Sequence, residues 1–227
     1  FVDRIDVMRA EGKTYIRVVD YKTGSKKFVL SDVLFGLNLQ MLIYLSAITK
    51  NAGEKYGGQP VPAGVLYMPA AAAVVNAEKD DTAQDIQEKQ AKSYRMNGLI
   101  LDDVHVIQGM EKQGKGVYIP VTLKEEKAGK ENKADTHVIK IDKGKEYTVS
   151  QAQMGALFAK IDALVLQMAR QLFNGYIAPV PAKGSYDACK WCPYTAACGY
   201  KEGMPCRDIT QDKNPVDLSA PEEKAGE

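Results

Sequence analysis

An α/β fold, with a central mixed sheet flanked by helices, is what this sequence predicts, and three features predict it. Residues 1–22 read as two strand-like runs about a Glu11-Gly12 turn. Ala63-Gly64-Val65-Leu66-Tyr67-Met68 is a short apolar run without alternation, the pattern of a strand covered on both faces. Residues 32–49 and Ser150 to Tyr176 carry apolar side chains at three- and four-residue spacing, as amphipathic helices do.

The leading hairpin runs from Phe1-Val2 and Ile5 through Arg9–Lys13, and Thr14–Val19 resumes the strand. In the first helical stretch the apolar positions are Val33, Leu34, Leu37, Leu39, Met41, Leu42, Tyr44 and Leu45, with Ser31 or Asp32 placed to cap it. Residues 51–62 form a glycine-rich loop, and Val65–Met68 is expected to join the hairpin in parallel. Residues 78–97 are charged and helical in pattern. Val117–Val121 and His137–Ile141 read as strands separated by Lys124–Asp135, whose charges nearly cancel, as in a solvated hairpin tip. The span 76–148 is therefore expected as a hairpin-rich insert. The second helical stretch shows one apolar stripe, Met154, Leu157, Phe158, Ile161, Leu164, Val165, Met168, Leu172 and Phe173, expected as core and ended by Gly175. From 207 to 227 the chain is polar and rich in Pro, Glu and Lys, the composition of a disordered tail. His105 and His137, both in the insert, are read as structural.

A chain of 227 residues that is 45% hydrophobic can bury a full core, and 1–206 is expected as one domain. Lys and Arg number 30 against 29 Asp and Glu, for a net charge of +1. Nothing in that balance marks a strongly basic nucleic-acid binder, so any contact with DNA must come from a local basic surface or from a larger assembly that supplies the charge. The longest apolar run, Ala70–Val75, is far below the roughly 20 residues a membrane helix needs, and no secretory leader pattern opens the chain. All four cysteines lie between Cys189 and Cys206. Bunched this way they cannot staple a whole fold with disulfides. They read instead as a metal or cluster site at 189–206 in a reducing, cytoplasmic compartment.

The chemistry concentrates at Val18-Val19-Asp20-Tyr21-Lys22. Hydrolysis of a phosphodiester needs a cation to polarise the phosphate and activate water. A hard cation such as Mg²⁺ takes carboxylate ligands and keeps several waters. On a strand Asp20 and Lys22 share a face, Tyr21 points away, and the Tyr21 carbonyl remains available as a backbone ligand. An Asp-x-Lys alone is common by chance. With Glu11-Gly12 as a two-residue turn, however, Ala10 pairs with Lys13, Asp6 with Arg17 and Asp3 with Asp20. Two facing carboxylates repel unless a cation or proton lies between them. This register selects Asp3 as the partner of Asp20, and a bulge would substitute Asp6, which stands in reserve.

Phe1-Val2-Asp3-Arg4-Ile5-Asp6, then Val19-Asp20-Tyr21-Lys22-Thr23-Gly24, then Gly36-Leu37-Asn38-Leu39-Gln40-Met41-Leu42-Ile43-Tyr44-Leu45, resemble the RecB-type branch of the PD-(D/E)xK nucleases. The resemblance implies a restriction-endonuclease-like fold and Mg²⁺ (or Mn²⁺) held by Asp3, Asp20 and the Tyr21 carbonyl. It implies Asp20, Lys22 and Gln40 as catalytic residues, and Gln40 with Tyr44, one helical turn apart, against the substrate. Cys189-Lys190-Trp191-Cys192 and Cys198, in C-x2-C-x5-C spacing, are similar to the iron–sulfur staple of the AddB component of bacterial AddAB helicase-nucleases. The 76–148 span and the Gly36–Leu45 segment favour that branch over other nucleases that carry a related staple.

This second resemblance implies a 4Fe-4S cluster, DNA as substrate, an AddA-type protein as heterodimer partner, and exonuclease action in double-strand-break repair and recombination. By thiolate number and spacing alone the site suits zinc equally, and Cys206 is the fourth cysteine at hand. In these families the fourth cluster ligand, a glycine before the first aspartate and a further active-site residue lie upstream. The chain opens on Phe1 inside a strand, so it is expected to be a fragment with weak or no activity by itself. The competing reading is a catalytically silent, nuclease-like module for DNA binding or assembly with a structural zinc or Fe–S site.

Overall fold

The computed structural model describes residues 1–24, 26–71, 74–127 and 137–209, apart from the side chains of Lys127 and His137. In chain order the first elements are β1 (Arg4–Ala10), β2 (Lys13–Lys22), α1 (Leu30–Leu34), α2 (Gln40–Asn51) and α3 (Gly53–Tyr56). They are followed by β3 (Val61–Pro69), α4 (Ala83–Ser93), β4 (Asn97–Leu101), α5 (Val104–Met110), β5 (Thr122–Lys127) and β6 (His137–Lys143). The last are β7 (Thr148–Val149), α6 (Gln151–Phe173), β8 (Ala182–Gly184), α7 (Thr195–Cys198) and β9 (Arg207–Ile209). Where one domain was expected over 1–206, the chain falls into two compact units, Phe1–Phe28 with Gln40–Gly155, and Val29–Leu39 with the chain from Ala156 onward.

The first unit is built on a five-stranded mixed sheet in the order β1-β2-β3-β4-β7. Glu11 and Gly12 both take positive φ, 51° and 72°, which makes the tight turn whose twist matches that of its strands. The ladder that follows is the predicted one, with Ala10 opposite Lys13 and Asp6 opposite Arg17. β3 joins β2 in parallel, also as expected. Val18 and Val19, adjacent and on opposite faces, are both fully buried, so the centre of the sheet is covered on both sides. α2 lies on β2 and β3, burying Met41, Leu42 and Leu45. A separate cluster contains Tyr15, Val19, Leu66, Ile100, Val106 and Ile107.

Three expectations about elements are corrected. The span 76–148 is not wholly an insert, because Asn97–Leu101 enters the central sheet as β4, antiparallel to β3. The approach is tight: a Cβ on Gly98 would collide with the carbonyl oxygen of Val65. Val117–Val121 is not a strand. The Glu111 carboxylate instead accepts the N–H groups of Val117 (3.0 Å), Tyr118 (2.9 Å) and Ile119 (3.3 Å), and pairing with β6 begins only at Thr122. The helix expected over 32–49 is two helices. Gly36 (φ 81°) and Asn38 (φ 57°) are left-handed, and no helix passes through two such residues. Asp32 accordingly caps no start. Its carbonyl accepts the N–H groups of Phe35 and Leu37, and its carboxylate accepts from the Asn38 amide at 3.2 Å.

α6 opens with a reciprocal cap, Ser150 N–H to Gln153 Oε1 at 2.8 Å and Gln153 N–H to Ser150 Oγ at 3.2 Å. Its stripe is core only in the first half. Met154, Leu157 and Ile161 are buried, whereas Leu172 is 81% and Phe173 92% exposed. In the second unit β9 pairs in parallel with β8, and Ile209 is fully buried. Residues 207–209 of the expected tail are thus strand, and 210–227 lie outside the described residues. Among the described residues no helix is long and apolar enough to cross a membrane.

Candidate active site

The sequence Val18-Val19-Asp20-Tyr21-Lys22 ends β2 where its two apolar residues give way to charge, so alternation carries Asp20 and Lys22 from the buried Val18 face to the mouth of the sheet. The Lys22 ammonium pairs with Asp20 Oδ2, their side chains being 30% and 16% exposed. That oxygen is sealed from solvent, and the Lys22 ammonium is the partner it has among the described residues. Tyr21 points away and is exposed.

Asp3 lies one residue before β1. Continuing the ladder from Arg4 opposite Val19 sets it across from Asp20, and its Oδ2 accepts the Tyr21 N–H at 3.0 Å. Asp3, Asp20, Tyr21 and Lys22 are therefore brought together.

Asp6 is not part of this group. It faces the other side of the hairpin, with Oδ1 at 2.6 Å from Arg4 Nε and Oδ2 at 2.7 Å from Arg17 Nε. Burial alone would raise its pKa, but hydrogen bonds from Arg4 and Arg17 outweigh that and hold it below the usual carboxylate range. Both oxygens are occupied, and the ladder has no bulge between Arg4 and Ala10 that would turn Asp6 around.

The donor set beside β2 can be tested against a cation. Among the described residues no three His, Cys, Asp or Glu side chains gather into a metal-holding group. Two carboxylates, one with a buried oxygen that only Lys22 meets among the described residues, match what Mg²⁺ takes from a protein while water and phosphate fill its other positions.

Gln40 and Tyr44 stand on the first turn of α2, with Gln40 Nε2 donating to Tyr44 Oη at 3.0 Å. Their helix packs on β2 and β3. No hydrogen bond or ion pair among the described residues joins them to Asp20 or Lys22.

Sequence reasoning missed Tyr67. It sits on β3 directly beside Asp20 in the parallel ladder and is 5% exposed. The Lys22 ammonium lies 5.6 Å and the Lys26 ammonium 5.2 Å from the centre of its ring. The Phe28 ring leans against it at 6.5 Å. Burial, and then the negative charge of Asp20, push the Tyr67 phenol pKa up. The signal that points to it is positional: ligand sites of open α/β sheets lie at the carboxyl ends of parallel strands, and Tyr67 is near that end of β3.

In the second unit Cys189, Cys192, Cys198 and Cys206 all line one cavity of about 640 Å³ together with Lys183 and Tyr200. All four are free thiols. Asp187 organises the first turn, accepting the Cys189 N–H at 2.8 Å and the Lys183 ammonium at 2.9 Å. The cysteines share a cavity, but no three of them converge to bonding geometry.

A family model described as the PD-(D/E)XK nuclease superfamily matches residues 1–199. The chain is 35% identical over 204 residues to an ATP-dependent helicase/deoxyribonuclease subunit from Thermoanaerobacter sp. (strain X514), covering 88% of this chain and 16% of that protein. It is 32% identical over 210 residues to the protein of the same name from Caldanaerobacter subterraneus subsp. tengcongensis, covering 91% and 17%. With the one from Clostridium acetobutylicum it shares 32% over 202 residues, covering 88% and 16%. The chain thus spans only 16–17% of the length of these relatives. With the strand-end Asp20 and Lys22 in place and the family match running through nearly every described residue, the chain belongs to the PD-(D/E)XK nuclease superfamily.

Proposed function

We propose that this chain is the nuclease domain of an AddB-type helicase-nuclease component, which hydrolyses DNA phosphodiesters with Mg²⁺ (or Mn²⁺). The observation that carries the reading is the solvent-sealed Oδ2 of Asp20 paired with Lys22 at the end of β2, with Asp3 across the ladder. Asp3, Asp20 and the Tyr21 carbonyl would hold the cation, whose chemistry when bound is to polarise the phosphate and lower the pKa of an attacking water. Lys22 orients that water and steadies charge as the new P–O bond forms and the ester P–O bond breaks. Gln40, backed by Tyr44, holds the DNA backbone. The relatives' printed name, ATP-dependent helicase/deoxyribonuclease subunit, supports DNA hydrolysis within a helicase-nuclease; the proposal extends this to exonuclease action alongside an AddA-type partner, in double-strand-break repair and recombination in the cytoplasm.

The shared cavity of Cys189, Cys192, Cys198 and Cys206 supports a 4Fe-4S cluster there, with zinc as the alternative that thiolates equally suit. Absorption near the charge-transfer bands of Fe–S, against zinc by elemental analysis, separates the two.

The test is cleavage of a labelled DNA duplex during a Mg²⁺ titration, with binding heat followed in parallel. In the intact subunit the wild type cleaves with a Mg²⁺ requirement, and Asp20→Ala binds Mg²⁺ weakly and does not cleave. Cleavage by Asp20→Ala at the wild-type rate would falsify the assignment. Mg²⁺ binding and DNA binding without cleavage would support the silent-module reading instead.

A further inference from the structure

Lys26 emerges just past the end of β2. The Lys22 carbonyl accepts the Ala70 N–H at 2.9 Å, which ties the strand end to β3, and the Lys26 N–H turns back onto the Gly24 carbonyl at 2.9 Å. Two residues on, the Phe28 N–H is fastened to Asn97 Oδ1, and the Phe28 ring rests on Tyr67. Lys26 is bracketed by these anchors, and its ammonium lies over the Tyr67 ring.

Lys22, like Lys89, Lys124 and Lys183, sits against a carboxylate. Lys26 is exposed and makes no ion pair with any described residue. Among the described residues its ammonium is directed by the ring that also carries Lys22. A cation over an aromatic face is held in direction yet keeps its remaining N–H donors turned outward. Lys22 is already paired with Asp20 and Lys26 is not, so the two ammonium groups at this ring favour an anion that presents more than one charge along its length. A nucleic-acid strand has a phosphate at every nucleotide and fits that description. A single small anion would need only one of the two.

We infer that Lys26 and Tyr67 form a second phosphate grip beside the Asp20–Lys22 pair: Lys26 binds a backbone phosphate of the DNA strand, and Tyr67 is the positioning residue on which both ammonium groups rest. This rests on the phosphodiester-hydrolysis reading above. It adds that the strand is held at two successive points, one at the scissile phosphate and one beyond it. Tyr67, with its phenol kept protonated by burial and by Asp20, presents a neutral ring throughout the working pH range.

The experiment is fluorescence anisotropy of a short single-stranded deoxyoligonucleotide with the 227-residue chain in EDTA, across a series of salt concentrations. Lys26→Gln is expected to weaken binding several-fold and to reduce the slope of log affinity against log salt by about 0.7, the loss of one phosphate contact. Lys26→Arg restores both. Tyr67→Phe keeps the ring and binds as wild type. Tyr67→Leu, with its fold checked by thermal melting, binds as Lys26→Gln does, and the double variant loses nothing further. If Lys26→Gln leaves affinity and slope unchanged while wild type binds, this inference is wrong and the nuclease reading stands. If wild type binds no oligonucleotide, both fall together. If Tyr67→Leu melts like wild type and still binds like it, Tyr67 is not the platform.

Discussion

On one face of the β1–β2 hairpin, Asp6 has both oxygens occupied by the guanidinium groups of Arg4 and Arg17. On the other face, Asp20 has an oxygen that is closed off from water and met by the Lys22 ammonium alone among the described residues. The two carboxylates lie on adjacent strands of the same ladder, and the chain has enough donors to satisfy a buried aspartate when stability is the object. A buried carboxylate with so few donors is one that a ligand can complete, and consistency fails first at functional sites. Asp6 is what a structural carboxylate looks like in this protein, and Asp20 is the one proposed to work.

That contrast can be broken by matched substitutions. The largest effect is expected from Asp20→Asn, which should lower the cleavage rate by more than about a hundredfold while leaving the denaturation midpoint unchanged or raised. A clear loss of stability in that variant would erase the distinction. Asp6→Asn should do the opposite: it strips two charge-assisted bonds and costs about 1–3 kcal/mol in chemical denaturation, with cleavage per folded molecule unchanged.

The pH dependence sharpens the same point. Because the folded Asp6 carboxyl titrates below its unfolded value, its stabilisation is fully present above the ordinary carboxylate range. It begins to fade as the pH drops through about 4 and is gone once the folded carboxyl is protonated. The stability difference between wild type and Asp6→Asn should therefore be flat near neutral pH and shrink in acid. A difference that grows on acidification would refute the account. The smallest effect is expected for Gln40→Ala, which removes one exposed hydrogen bond. Stability should change by less than about 0.5 kcal/mol, and any kinetic change should fall on KM rather than kcat.

The hairpin register was legible because a two-residue Glu11-Gly12 turn leaves only one pairing, and that pairing put Asp3 against Asp20 and Asp6 against Arg17. The parallel placement of β3 was legible from its unalternating apolar run. Tyr67 was hidden because its nearness to Asp20 depends on where two strands distant in sequence come into register, and no local pattern encodes that. The break between α1 and α2 was hidden for a different reason. Asn38 adopts a conformation that asparagine permits but does not announce, so an apolar spacing that continues through it looks like a single helix. β4 was absorbed into the supposed insert because it is short and opens on Asn97-Gly98, which reads as a turn. The far end of α6 shows the limit of periodicity itself: the stripe says which side is apolar, and it does not say whether anything lies against it.

The close approach of Gly98 to the Val65 carbonyl has a consequence for anyone who wishes to tune this protein. β3 carries Val65 and, two residues later, Tyr67, so the seam between β3 and β4 sets how near Tyr67 stands to Asp20. A single methyl group added at Gly98 would act as a wedge driven between the strands from behind. Catalysis could then be detuned by geometry alone, with every charged residue of the site untouched.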